Sequence, residues 1–150
     1  MAQDYRELIV WQKAIELTVL VYKITQSFPQ SELYGLSSQM RRASVSVASN
    51  IAEGRGRINS MEFRQFLGVA RGSTCELLTQ IHVARALGFS TGGNLDEAES
   101  LGTEISKMLL RFIQTLESRK IAGKNTGARC AAFIAPGARS TDGWRKQGEF

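Results

Sequence analysis

A single proline, Pro29, interrupts the first 120 residues, and across that stretch apolar residues recur at intervals of three and four. Proline is the strongest helix breaker, so its scarcity permits long helices, and a 3.6-residue period gathers the apolar positions onto single faces. Both features point to an all-α architecture. Hydrophobic residues make up 43% and charged residues 22% of 150, near the globular average, so the chain buries a core and is neither a disordered chain nor a membrane protein. The length suits one domain rather than a two-domain enzyme.

The punctuation divides this stretch into four helices. Asp4 stands three before Glu7, a capping-box spacing, and predicts a first helix running to about Ser27. Its apolar positions form two stripes, Trp11, Ile15, Thr18 and Tyr22 beside Ala14, Leu17, Val21 and Phe28, and Phe28-Pro29 ends it. The second helix starts at Ser31 or Gly35 and carries Leu36, Met40, Ala43, Val47 and Ile51 on one face. Ser44 to Val47 alternates like a strand, but the alternation lasts four residues while the helical stripe spans Leu36 to Ile51. Gly54 and Gly56 read as its stop.

Asn59 and Glu62 form a second capping box ahead of the seam Phe63, Leu67, Ala70, Thr74, Leu77, Ile81 and Ala84, and Leu87-Gly88-Phe89 reads as a glycine C-cap. Asn94 and Glu97 open the fourth helix, with Ala98, Leu101, Ile105, Met108, Phe112 and Leu116 on its stripe and an end near Arg119. Helices of about 20–25 residues, roughly 30–38 Å long, joined by short loops favour an antiparallel up-and-down four-helix bundle. Residues 1–120 are its expected extent. Residues 121–150 hold five glycines and Pro136 without a sustained period, and predict a disordered C-terminal tail.

Charge is unevenly spread. Between Gly35 and Cys75 six arginines (Arg41, Arg42, Arg55, Arg57, Arg64, Arg71) and no lysine face Glu53 and Glu62, whereas from Glu76 to Ser118 Arg85, Lys107 and Arg111 face six acidic residues. Guanidinium forks match phosphate bidentately, so these six arginines are the candidate nucleic-acid-binding residues. The competing reading has them meeting the acidic half of a like subunit or another protein, or simply solvated. Gly54-Arg55-Gly56-Arg57 resembles a phosphate cradle, yet its place at a helix end makes capping the simpler role.

No other constellation carries chemistry. Cys75 and Cys130 show neither a CxxC spacing nor a histidine suited to zinc, and His82 lies seven residues from Cys75, too far for a dyad. No ExxH pair marks a di-metal bundle site, no GxxxxGK[ST] marks a phosphate loop, and no nucleophile stands with a base. The expectation is a protein without metal or cofactor and not an enzyme. Asp4 and Glu7 occupy the place where an export signal is basic, and the apolar run Leu17 to Tyr22 is far below the roughly 20 residues of a membrane span. A cytoplasmic protein without a membrane partner is expected. Ile9, Val10, Leu20 and Ile24 add apolar surface beyond one face, and Ala43, Ser44, Ala48, Ser49 and Ala52 allow close helix contact, which together predict self-association.

Several strings are distinctive: LIVWQKAIEL in the first helix, FPQSELYGLSSQMRRASVSVASNIAEG across the second, and FRQFLGVARGS with ALG in the third. From about Tyr5 to Leu116 the chain resembles the bacterial four-helix-bundle proteins encoded in intervening sequences of 23S ribosomal RNA genes. The resemblance implies an up-and-down subunit assembled as a ring-shaped homopentamer. It is similar also to accessory proteins of diversity-generating retroelements, whose basic surface engages nucleic acid and a reverse transcriptase. Carried onto this chain, that resemblance makes Arg41, Arg42, Arg55 and Arg57 the matching basic positions. The expected function is phosphate contact by charge and shape, without base readout, on RNA or DNA; the alternative is an assembly or accessory module that binds only proteins.

Overall fold

The computed structural model describes residues 4–89 and 93–132, and the chain divides into two units, residues 1–116 and 117–150. All the regular structure described is helical: α1 (Ile9–Gln26), α2 (Leu36–Arg55), α3 (Ser60–Ala86) and α4 (Asn94–Ala132), with 3-10 turns at Tyr5–Glu7 and Gln30–Glu32. Ser44 to Val47 lies within α2, so the longer apolar period prevails over local β propensity.

Cross-helix contacts give the topology of the first unit. Thr18 Oγ1 donates to the Ser44 carbonyl and Arg41 Nε to Thr25 Oγ1, so α1 and α2 run antiparallel. The Ser46 and Ser73 hydroxyls meet at 2.9 Å between α2 and α3. Arg85 reaches Asp96 at one end of the α3–α4 pair while Phe63 packs edge-on against Phe112 at the other. Lys13 on α1 pairs with Glu104 on α4 at 3.1 Å and closes the circuit. The unit is an up-and-down bundle. Leu17, Met40, Ile51, Leu67, Leu77, Ile81, Ile105 and Leu109 are fully buried at its centre, all but Leu109 on or beside the expected stripes.

Several local expectations are corrected. Asp4 does not open α1: its carboxylate accepts from the Arg6 amide at 2.9 Å and caps the 3-10 turn, and α1 begins at Ile9, without a side-chain cap at Leu8. Hydrogen bonds from the Arg6 guanidinium and amide hold the Asp4 carboxyl below its usual 3.8, at about 2. The contact is therefore fully present above pH about 4 and released as pH falls through about 2. Of the surplus apolar residues on α1, Val10 and Ile24 belong to the core, while Ile15 and Tyr22 of the first stripe stay largely exposed. The helix is rotated so that the Ala14–Leu17–Val21 stripe faces inward.

Gly54 is a buried member of the last turn of α2 rather than its stop. A Cβ there would lie 2.6 Å from Phe66 Cβ and 3.0 Å from Phe63 Cδ2, so the missing side chain is what lets α3 approach. Gly88, at φ 70°, is a true left-handed cap, with the Phe89 amide donating to the Ala84 carbonyl. The fourth helix continues past Arg119 to Ala132, contrary to the expectation of a tail without regular structure from Ile121. Gly123 and Gly127 weaken a helix by about 1 kcal/mol each, but only proline breaks one, and Pro136 lies beyond the helix end. The rest of the expected tail, residues 133–150, lies outside the described residues.

Among the described residues one buried side-chain group is left unsatisfied. Gln80 is buried and its Nε2 donates to Glu76 Oε1 at 3.1 Å, but its Oε1 has no partner. A desolvated acceptor without a donor costs about 1–3 kcal/mol. Gln80→Leu, of similar volume, is expected to raise stability by about 1 kcal/mol, read as a higher urea midpoint with unchanged m.

Candidate nucleic-acid interface

The six arginines sit in four places. Arg41 faces α1, with its Nε bonded to Thr25 and its Cζ 4.9 Å from the centre of the Tyr22 ring. Arg42, the next residue and about 100° further round, lines the outer α2–α3 seam beside Gln39, Ser46 and Glu76. Arg64 and Arg71 share a stripe of α3 with Leu78, His82 and Arg85, the stripe that packs against α4: Leu78 Cδ2 is 3.0 Å from where a Cβ on Gly102 would stand, and Arg85 bonds Asp96. Arg55 closes α2 and Arg57 lies in the turn that leads to α3, and the two together are the arginines of the α2–α3 turn. The side chains therefore do not line up along one continuous track.

Their electrostatic states differ as well. Arg57 pairs with Glu53 at 2.6 Å, whereas Arg42 and Arg71 are exposed and form no hydrogen bond or ion pair among the described residues. Arg85 is engaged: its Nη2 meets Glu99 at 2.5 Å and Asp96 at 2.8 Å, raising its pKa further above the usual arginine value, and His82 Nε2 lies 3.4 Å from Glu99. The acidic end of α4 is thus largely paired within the subunit.

The α2–α3 turn is the most organised of the arginine positions. Gly56 donates to the Ala52 and Glu53 carbonyls and Arg57 to that of Gly54, while Asn59 caps α3 by accepting from the Glu62 amide at 2.9 Å. The close approach at Gly54 sets two α3 rings beneath the arginines: Arg57 Cζ lies 4.7 Å from the Phe66 ring centre and Arg55 Cζ 5.8 Å from that of Phe63. Ile58, between them and the Asn59 cap, is fully exposed. Sequence reasoning missed Phe66, Glu53 and Ile58 as parts of this site. The signal available was an Arg-x-Arg at a helix end, with Glu53 four residues before Arg57 and phenylalanines at Phe63 and Phe66.

Elsewhere on the surface, Trp11, Ile15 and Thr18 of α1 and Val45, Ala48 and Ala52 of α2 line a shallow, mostly apolar groove. Among the described residues no three His, Cys, Asp or Glu side chains gather as a metal site would require, and no helix is long and apolar enough to cross a membrane. Cys75 is a free, exposed thiol.

A family model described as 23S rRNA-intervening sequence protein matches residues 6–111. The chain also resembles a crystal structure of a protein of unknown function from the S23 ribosomal protein family of Bacteroides thetaiotaomicron, at 22% identity and a TM-score of 0.63, over 70% of this chain and 98% of that one. That likeness concerns the fold. No curated protein matches.

Proposed function

The chain belongs to the 23S rRNA-intervening sequence protein family, and we propose that it is a non-enzymatic protein that binds nucleic acid, RNA first, through arginine contacts to phosphate, as a homo-oligomer. The observation that carries this reading is the state of the arginines: Arg42 and Arg71 are exposed with no intrachain ion pair among the described residues, and Arg55 and Arg57 are held at an ordered turn. Arginine without lysine suits bidentate phosphate contact. The ring of five that the family resemblance implies, a cytoplasmic location and a reverse transcriptase or other protein partner belong to the same reading.

The test is fluorescence anisotropy with a structured ribosomal RNA fragment at two salt concentrations. Four phosphate contacts, from Arg42, Arg55, Arg57 and Arg71, predict an affinity that falls by about 10² between about 50 and 200 mM salt. The double variant Arg55→Glu, Arg57→Glu is expected to lose RNA while light scattering reports an unchanged assembly mass. The second reading, a protein-assembly module without nucleic acid, is supported by the apolar α1–α2 groove and the exposed Ile15, Val19, Tyr22 and Val45 around it. It predicts no RNA binding even at low salt, and a changed assembly mass in Ile15→Glu, which lines the groove, rather than in the double variant.

A further inference from the structure

Resting on the nucleic-acid reading, we infer that the α2–α3 turn is a stacking site for an unpaired nucleotide, with the Arg57 guanidinium as the platform and Ile58 as the flanking apolar contact. Three observations lead there. First, Arg57 is held at two points: its Cζ lies 4.7 Å from the centre of the Phe66 ring and its Nη2 2.6 Å from Glu53 Oε1. A guanidinium so anchored, with its side chain still 43% exposed, leaves surface on which a base can stack. Bases stack on guanidinium planes, and single-stranded nucleic acid is recognised largely in this way.

Second, Ile58 is fully exposed although it directly follows that arginine, in a turn that Gly56, Arg57 and Asn59 tie down by hydrogen bonds. A fixed, fully hydrated isoleucine gains by covering an apolar ring face, and apolar side chains inserted beside bases are a recurrent device in nucleic-acid proteins. Third, charge distinguishes this turn from the connection at the opposite end of the bundle. Tyr34 is nearly as exposed there, but Glu32 is its charged neighbour and no arginine accompanies it. Of these two connections only the α2–α3 turn offers an exposed apolar group beside arginines, Arg55 and Arg57.

This changes the expected mode of contact. Phosphate contact alone gives a single strand no advantage over a duplex, whereas a stacking platform needs a base whose face is free. A paired duplex hides its base faces and so cannot use the site. A membrane is the less favoured partner, because one isoleucine supplies far too little apolar area for stable insertion, and the arginines are pinned rather than free to follow headgroups.

The experiment compares a labelled single-stranded RNA with a fully paired RNA duplex of the same length, by anisotropy at about 50 mM salt. It uses the full chain, with circular dichroism as the check on folding. The single strand is expected to bind about tenfold more tightly than the duplex, the increment of one stacked base. Ile58→Ser is expected to remove that preference while leaving duplex affinity unchanged, and Arg57→Lys, which keeps the charge and loses the plane, to weaken single-strand binding by more than duplex binding. Equal binding of both RNAs, unaltered in the variants, overturns the stacking site and leaves the phosphate reading standing. Binding of neither RNA overturns both. Binding to anionic phosphatidylserine vesicles that is lost in Ile58→Ser, with no single-strand preference, assigns the turn to a lipid surface and overturns the inference.

Discussion

Replacing Leu17 by alanine should lower the melting temperature of the protein by about 10 °C. Leu17 is wholly buried on α1, and its Cδ2 lies 3.9 Å from the Cβ position of Gly102 on α4. Truncation removes three carbons from a space that cannot collapse, because Gly102 has no side chain to move into it. Such changes cost about 2–5 kcal/mol, and for a bundle of this size about 3 kcal/mol corresponds to that shift in thermal unfolding. Ile15→Ala, on the outward stripe of the same helix where Ile15 is 38% exposed, is expected to cost less than half as much. Comparable losses at the two positions would show that the rotation of α1 described above is wrong.

The second large effect is a difference in sign between two identical substitutions. Alanine in place of glycine within a helix is worth about 1 kcal/mol of stability where nothing interferes. Nothing lies within 4 Å of a Cβ on Gly72, so Gly72→Ala is expected to stabilise by about that amount. At Gly54 the added carbon would stand 2.6 Å from Phe66 Cβ and 3.3 Å from the Phe63 carbonyl, which forces α2 and α3 apart. Overpacking costs about 1–3 kcal/mol and here outweighs the helical gain, so Gly54→Ala should destabilise by about 2 kcal/mol net. Urea unfolding of the pair checks both directions. The same displacement should carry Phe66 from beneath Arg57, so RNA affinity and stability are expected to fall together at Gly54 and to separate at Gly72.

The stripes were legible because a bundle core is written at three- and four-residue spacing: every seam residue from Phe63 to Ala84 is buried. The rotation of α1 was not. Two apolar stripes lie side by side on it, and which of them faces inward depends on α2 and α4, whose positions no local pattern encodes. Gly54 was misread for a related reason, since a glycine near a helix end is compatible with stopping the helix and with admitting a neighbour, and only Phe63 and Phe66 on α3 decide between them. The start of α2 has a cap that no short-range rule suggested: Glu32 Oε2 accepts from the Leu36 amide at 3.0 Å. Among the arginines, sequence showed their number and type. Their dispersal over the α1–α2 seam, the α2–α3 seam, the α4 side of α3 and the connecting turn follows from helix phase, because Arg41 and Arg42 are neighbours in sequence and about 100° apart in space.

The turn that carries Arg55 and Arg57 caps one end of the bundle, whereas the apolar groove runs along its flank between α1 and α2. Ends and flanks are orthogonal resources. Subunits joined side by side around a common axis would all direct their α2–α3 turns to one rim, so a contact too weak to matter in one copy would be repeated within reach of a single strand. Once the first turn is occupied, each further turn engages at the effective concentration set by the spacing of its neighbours, which can raise avidity by 10²–10⁴ without any new contact chemistry. A protein with a net charge of only +5 would then owe its grip to repetition rather than to the strength of any one site.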